Sequence, residues 1–144
     1  MNKSLRPIIL IALLFLFVGV VARWPHGHGA GHELVPWRKD FATAQAEALR
    51  LHKPMLLDFM ATWCGPCQEM AATTWSDPKA AAALQNWIPV RIDIDQNHEL
   101  ASRYSINVVP TLVLLDDKGT VITFSEGAMN PDEFLAWIRG KRSL

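Results

Sequence analysis

Both cysteines of this 144-residue chain lie in one turn, Trp63-Cys64-Gly65-Pro66-Cys67. The turn follows an apolar run, Met55 to Met60, interrupted only by Asp58, and precedes a helical stretch towards Thr73. A short apolar run of this length reads as a buried strand, so the cysteines fall where a strand gives way to a helix. A sulfur at a helix N-terminus faces unpaired backbone N–H groups and the positive end of the helix dipole, which stabilise a thiolate. Cys67 lies one turn further on and can reach back to Cys64, with Gly65-Pro66 keeping the turn tight. Cys64 is therefore expected to be the exposed attacking thiolate and Cys67 the buried resolving thiol. A purely structural disulfide here would close too small a loop to stabilise the fold much. A zinc site would lack its second pair of cysteines. The position after a strand favours a redox pair over both.

Composition narrows the field further. Fourteen Lys and Arg balance 14 Asp and Glu, so the basic surplus of a nucleic-acid-binding protein is missing. Half of the residues are hydrophobic, enough for a core and too many for a disordered chain. The charges are unevenly spread, because no Asp or Glu precedes Glu33. Lys3 and Arg6 stand before an uncharged run, Pro7 to Ala22, whose length falls between that of a signal h-region and a spanning helix. Its content of Leu, Ile and Phe favours an uncleaved signal anchor, while Val20 and Ala22 offer the small-residue pattern of a cleaved signal peptide. In either case the positive-inside rule exports the remainder of the chain. The expected location is an oxidising compartment, the periplasm for a bacterial source, with the domain anchored to the inner membrane or released by cleavage.

Residues 23–36 are dense in Gly, His and Pro and read as a linker. His26, His28 and His32 could hold a soft or borderline metal ion. Among glycines they have no fixed geometry, so the segment reads as a polar spacer and no metal site is assigned. Residues 37–144 then form one domain. Asp40 caps a helix that Lys53-Pro54 ends, and Met55–Met60 is a strand. A helix runs from Cys64, a second short helix opens at Asp77-Pro78, and Pro89–Ile94 is a strand. Asn97 caps a helix to Tyr104, Val108–Leu115 is a strand, and the turn Asp116–Gly119 leads into Thr120–Phe124. Asn130-Pro131-Asp132-Glu133 opens the last helix, which ends near Gly140. Strands separated by helices predict parallel crossovers, and the final hairpin adds an antiparallel edge. The fold class is α/β, a mixed central sheet with helices on both faces, preceded by an N-terminal hydrophobic helix.

With these residues the chain resembles the thioredoxin family from about Trp37 to Gly140. The run Asp58 to Cys67 looks like that family's active-site strand and turn, and Ile94-Asp95-Gln96-Asn97 resembles the end of its central strand. Val109-Pro110-Thr111 matches its cis-proline loop, and Gly127 a glycine after its last strand. The resemblance implies a thioredoxin-like fold. It also implies that Asp58 is a buried proton acceptor for Cys67, acting through water, and that Arg91 stands where the family commonly places a lysine near that carboxylate. A solvated edge position for Asp58, and a solvent-facing one for Arg91, are the competing readings. A carboxylate on an apolar strand is costly unless it works or is paired. A cis Val109–Pro110 bond would explain a proline in a strand sequence. It would also leave the Val109 backbone free to pair with an extended substrate. Trp63, with Gly65 and Pro66, shapes the contact surface beside the thiols; a plain core aromatic is the alternative for Trp63.

Met60 and Val108 depart from the family's usual tryptophan and glycine. The stretch Cys67 to Asp77 is similar to membrane-tethered thioredoxin-like domains, in particular the C-terminal domain of the bacterial transmembrane thiol-reductant transporter. The expected activity is that of a thiol–disulfide oxidoreductase. Cys64 and Cys67 reduce protein disulfides through a mixed disulfide, with no cofactor beyond their own redox-active disulfide. Its partners would be protein disulfide substrates, a membrane electron donor for re-reduction and the membrane itself, with no nucleic acid, and the chain would act as a monomer. A disulfide oxidase or isomerase, or a copper-binding metallochaperone, is the alternative.

Overall fold

A computed structural model describes residues 32–141. The expected anchor or signal segment 1–22, the hydrophobic helix assigned to it, and His26 and His28 lie outside the described residues. Among the described residues no helix is long and apolar enough to cross a membrane.

The apolar run before the cysteines forms β1 (Met55–Met60), which lies between two neighbours. On one side β2 (Ile88–Asp93) pairs with it in parallel. On the other, β3 (Thr111–Leu115) pairs antiparallel, and β4 (Val121–Glu126) pairs antiparallel with β3. The helices are α1 (Phe41–Leu51), α2 (Gly65–Ala72), α3 (Pro78–Ala83), α4 (His98–Arg103) and α5 (Pro131–Arg139). Local chemistry sets most of their ends. Asp40 accepts from the Thr43 N–H at 2.7 Å, Asp77 accepts from Lys79 and Ala80, and Asn130 with Glu133 forms a capping box. Asn97 precedes α4 without capping it, because its side chain donates instead to the Asp93 carbonyl.

The sheet is mixed with helices on both faces, as expected, but one connection runs differently. The segment from β2 through α4 to β3 is not a parallel crossover, since β3 is antiparallel to β1. The register gives the reason. Asp93 at the end of β2 lies beside Met60, and Thr111 at the start of β3 lies beside Phe59, so the chain leaves and re-enters the sheet at the same end. A six-residue helix advances about 9 Å, less than half of the about 20 Å that a six-residue strand covers. Thus α4 is too short to carry the chain back along the sheet.

Alternation along β1 divides the core in two. Met55, Leu57 and Phe59 pack with Val90 and Ile92 of β2 and with Phe41, Ala44 and Ala48 of α1. Leu56, with Leu112 and Leu114 of β3, packs on the opposite face against Trp75, Phe134 and Ile138. The expected spacer does not extend to residue 36. Val35 is buried in this second cluster, the Leu34 N–H donates to the Trp75 carbonyl at 2.8 Å, and Arg38 bridges to β2 at Val90. An apolar side chain and backbone pairing together fix Glu33 to Pro36 onto the domain.

Candidate functional site

The redox pair occupies the junction of β1 and α2. Cys64 is the N-cap residue of α2 and Pro66 stands in its first turn, as proline can where the N–H would be unpaired anyway. The Cys64 and Cys67 sulfurs are bonded, 2.11 Å apart, and the Cys67 N–H points at Cys64 Sγ at 3.2 Å. The expectation of an exposed Cys64 beside a buried Cys67 does not hold in this disulfide form. The two residues are 4% and 6% exposed. Each sulfur is turned towards the other, and Met60, Ile94 and Val109 pack against them and Ala61.

The loop that faces the sulfurs is Val108 to Thr111. The Val109–Pro110 peptide is cis. The Pro110 carbonyl accepts from the Gly127 N–H at 2.8 Å, and Gly127 adopts φ 90°, a left-handed conformation that favours glycine. The Thr111 hydroxyl donates to the Val108 carbonyl at 2.7 Å. These bonds hold the loop from both sides, while the Val109 backbone has no hydrogen bond to another backbone group among the described residues. Trp63 is 67% exposed, which removes the core-aromatic reading, and its indole N–H donates to Asp95 Oδ2 at 2.8 Å. Gly65, Pro66 and Val108 are also exposed. Together with Trp63 they surround the disulfide with apolar, accessible surface.

Behind Cys67 the site is charged. Asp58 shares the Leu56 face of β1 and is 2% exposed, so it is not a solvated edge acid. Its register partner across the parallel ladder is Arg91, whose Nε donates to Asp58 Oδ2 at 3.0 Å. Arg91 is thus the partner of that carboxylate rather than a solvent-facing residue. Burial pushes the Asp58 carboxyl up to about 6, against the pull of the Arg91 charge and hydrogen bond, and the Glu33 charge adds to the rise. A cavity of about 190 Å³ lies between Asp58 and Cys67, with Arg91 and Glu33 in its wall. It is polar enough, and large enough, to admit water. Larger hollows of about 430 and 480 Å³ lie away from the cysteines.

Two participants escape a local reading of the chain. Asp95 holds the Trp63 indole, and Glu33, inside the expected spacer, binds Arg91. The only local signal for Glu33 is its spacing of four from Trp37, whose indole N–H it accepts at 2.8 Å. Among the described residues no group of three or more His, Cys, Asp and Glu is placed to hold a metal ion.

Comparison with known proteins agrees with this geometry. The Thioredoxin family model matches residues 38–140. Thioredoxin-2 of Pyricularia oryzae is 38% identical over 94 residues, 64% of this chain and 51% of that protein. Thioredoxin of Rhodospirillum rubrum is 32% identical over 98 residues, 67% of this chain and 90% of its own length. The chain therefore spans about half of the fungal relative and nine-tenths of the bacterial one. The solved thioredoxin of Thermus thermophilus is 25% identical with a TM-score of 0.68, covering 76% of this chain and 88% of that one. A family match over nearly all the described residues, with the cysteine pair bonded at the start of α2, means that the chain belongs to the thioredoxin family of thiol–disulfide oxidoreductases.

Proposed function

We propose that the chain is a reductase of protein disulfides. The observation that carries this reading is the bonded Cys64–Cys67 pair at the start of α2, with the buried Asp58 and a cavity behind Cys67. In the reduced protein the Cys64 thiolate attacks one sulfur of a substrate disulfide. The substrate S–S bond breaks, its leaving sulfur takes a proton, and a Cys64–substrate mixed disulfide forms. Cys67 then gives its proton to Asp58 across the cavity and attacks Cys64 Sγ. The second substrate thiolate leaves, and the Cys64–Cys67 disulfide closes. An extended substrate segment would lie along the free Val109 backbone, over the surface of Trp63, Gly65, Pro66 and Val108.

The basic start and apolar run to Ala22 support export and a membrane anchor. Export places the domain in the periplasm of a bacterial cell, where re-reduction needs a membrane electron donor. The likeness of Cys67–Asp77 to membrane-tethered domains supports the same placement. The domain acts as a monomer, with no cofactor beyond its disulfide.

The test is insulin reduction with dithiothreitol. The wild-type chain should accelerate it, Cys64→Ser should abolish the acceleration, and Cys67→Ser should accumulate the mixed disulfide. Full activity of Cys64→Ser would overturn the mechanism. The reduction potential fixes the direction: a value near the about −270 mV of reducing family members is expected, and one near about −120 mV would make the chain an oxidant.

A further inference from the structure

Glu33 lies outside residues 38–140, which the family model matches, yet its side chain reaches the site. Both of its carboxylate oxygens accept from Arg91 Nη1, at 2.8 and 2.5 Å, and one also accepts from the Trp37 indole at 2.8 Å. The Arg91 guanidinium lies over the Trp37 ring, 4.4 Å from its centre. What is left for Asp58 is the single bond from Arg91 Nε. One arginine is thus divided between two carboxylates, and the outer carboxylate has the larger share.

This division has a chemical consequence. Arginine keeps its proton, so an Arg91 committed wholly to Asp58 would hold that carboxylate ionised and make it a poor base. With Glu33 taking Nη1, the guanidinium is shared between the two carboxylates, and the Glu33 charge offsets part of its pull on Asp58. We propose that Glu33 is a positioning residue of the redox reaction, clamping Arg91 so that Asp58 stays able to take the Cys67 proton during resolution and return it on re-reduction. The proposal rests on the dithiol reductase reading above. The proton moves from Cys67 Sγ to an Asp58 oxygen as the Cys67 sulfur bonds to Cys64, and travels back when the disulfide is reduced.

The groups facing Asp58 are few. Arg91 comes from β2, Glu33 from the docked segment and Cys67 from α2. The Trp75 side chain lowers the proton affinity of Asp58 as a hydrogen-bond donor, and the β3 neighbour, Leu112, is apolar. Burial is the main cause of the raised Asp58 carboxyl, and the Glu33 charge adds to it against the stronger pull of Arg91. Removing that charge also frees Arg91 for Asp58, and both effects make Asp58 a stronger acid.

The experiment is a carbon-13 NMR titration of the Asp58 carboxyl in the oxidised full chain, wild type against Glu33→Gln and Glu33→Asp. Glu33→Gln should move the midpoint down by about one pH unit. It should also slow single-turnover release of substrate from the mixed disulfide about threefold at pH 7, the Brønsted consequence of a base weaker by that amount. Glu33→Asp keeps the charge but shortens the reach, and should fall between wild type and Glu33→Gln. A role confined to holding the segment in place would lower the melting temperature and leave the midpoint where it is. An unmoved midpoint in every variant that folds overturns the proposal. A wild-type chain that cannot reduce insulin overturns the function instead, wherever Asp58 titrates.

Discussion

The two faces of β1 come from the same six residues and differ in almost everything else. Met55, Leu57 and Phe59 enter a face that is apolar throughout and closed by α1. One step along the strand, Leu56 and Asp58 enter the face of Arg91, Trp75 and the cysteine helix. The first face supplies stability in the ordinary way, by removing apolar surface from water. The second accepts a buried carboxylate whose ionisation opposes folding. What separates a stabilising position from a chemical one here is a single residue's alternation.

The largest expected effect lies on the apolar face. Phe59 is fully buried, and Phe59→Ala should cost about 3–5 kcal/mol of stability, the usual result of deleting a buried ring. Thermal or denaturant unfolding of the oxidised protein reads this directly. A loss below about 1 kcal/mol would mean that this face is not what holds the domain together. Asp58→Asn should act in the opposite direction. The native carboxyl binds its proton up to about pH 6 and the unfolded one only to its ordinary 3.8. Between those values the native state holds more protons, so stability falls as pH rises through the window. The difference corresponds to about 3 kcal/mol at pH 7. Asp58→Asn should therefore raise the melting temperature at pH 7, flatten the pH dependence between 4 and 7, and slow release of the mixed disulfide. A destabilised Asp58→Asn protein at pH 7 would break the contrast between the faces, making Asp58 a structural ion-pair partner of Arg91.

How much of this was legible in the chain depends on the range of the interaction. Asp40, Asp77 and the Asn130–Glu133 box mark helix starts through bonds to residues two or three away, and each is found in place. The strand before Cys64 and the junction with α2 follow from composition over a dozen residues. The direction of β3 does not, because a helical stretch in a sequence does not say whether it is long enough to return the chain; only the six residues of α4 settle that. Burial of Cys64 escapes for a related reason. The residues packed against its cluster include, besides Met60, Ile94 and Val109, which are far off in sequence and become neighbours only when β2 and β3 flank β1. Glu33 is the extreme case. Its bond to Arg91 spans 58 residues, and its own surroundings, glycine and histidine, read as spacer.

The smallest effect is the one that separates folding from docking most cleanly. Gly65 opens α2, is exposed, and does not need glycine's freedom: its φ is not left-handed, and a Cβ built there meets no atom within 4 Å. Gly65→Ala should therefore leave the fold intact and stabilise it by about 0.4–1 kcal/mol, through a less flexible unfolded chain. Its cost falls on the approach to Cys64, where the new methyl stands between Trp63 and Pro66 on the surface proposed for protein substrates. The expected result is a few-fold fall in kcat/KM for insulin, with an unchanged rate for a small, unbranched disulfide that can pass a methyl group. Equal losses with both substrates would mean that the methyl disturbs the sulfur chemistry, and α2 would then need its glycine for reactivity. No loss with either would remove Gly65 from the docking surface and leave Trp63, Pro66 and Val108 to define it.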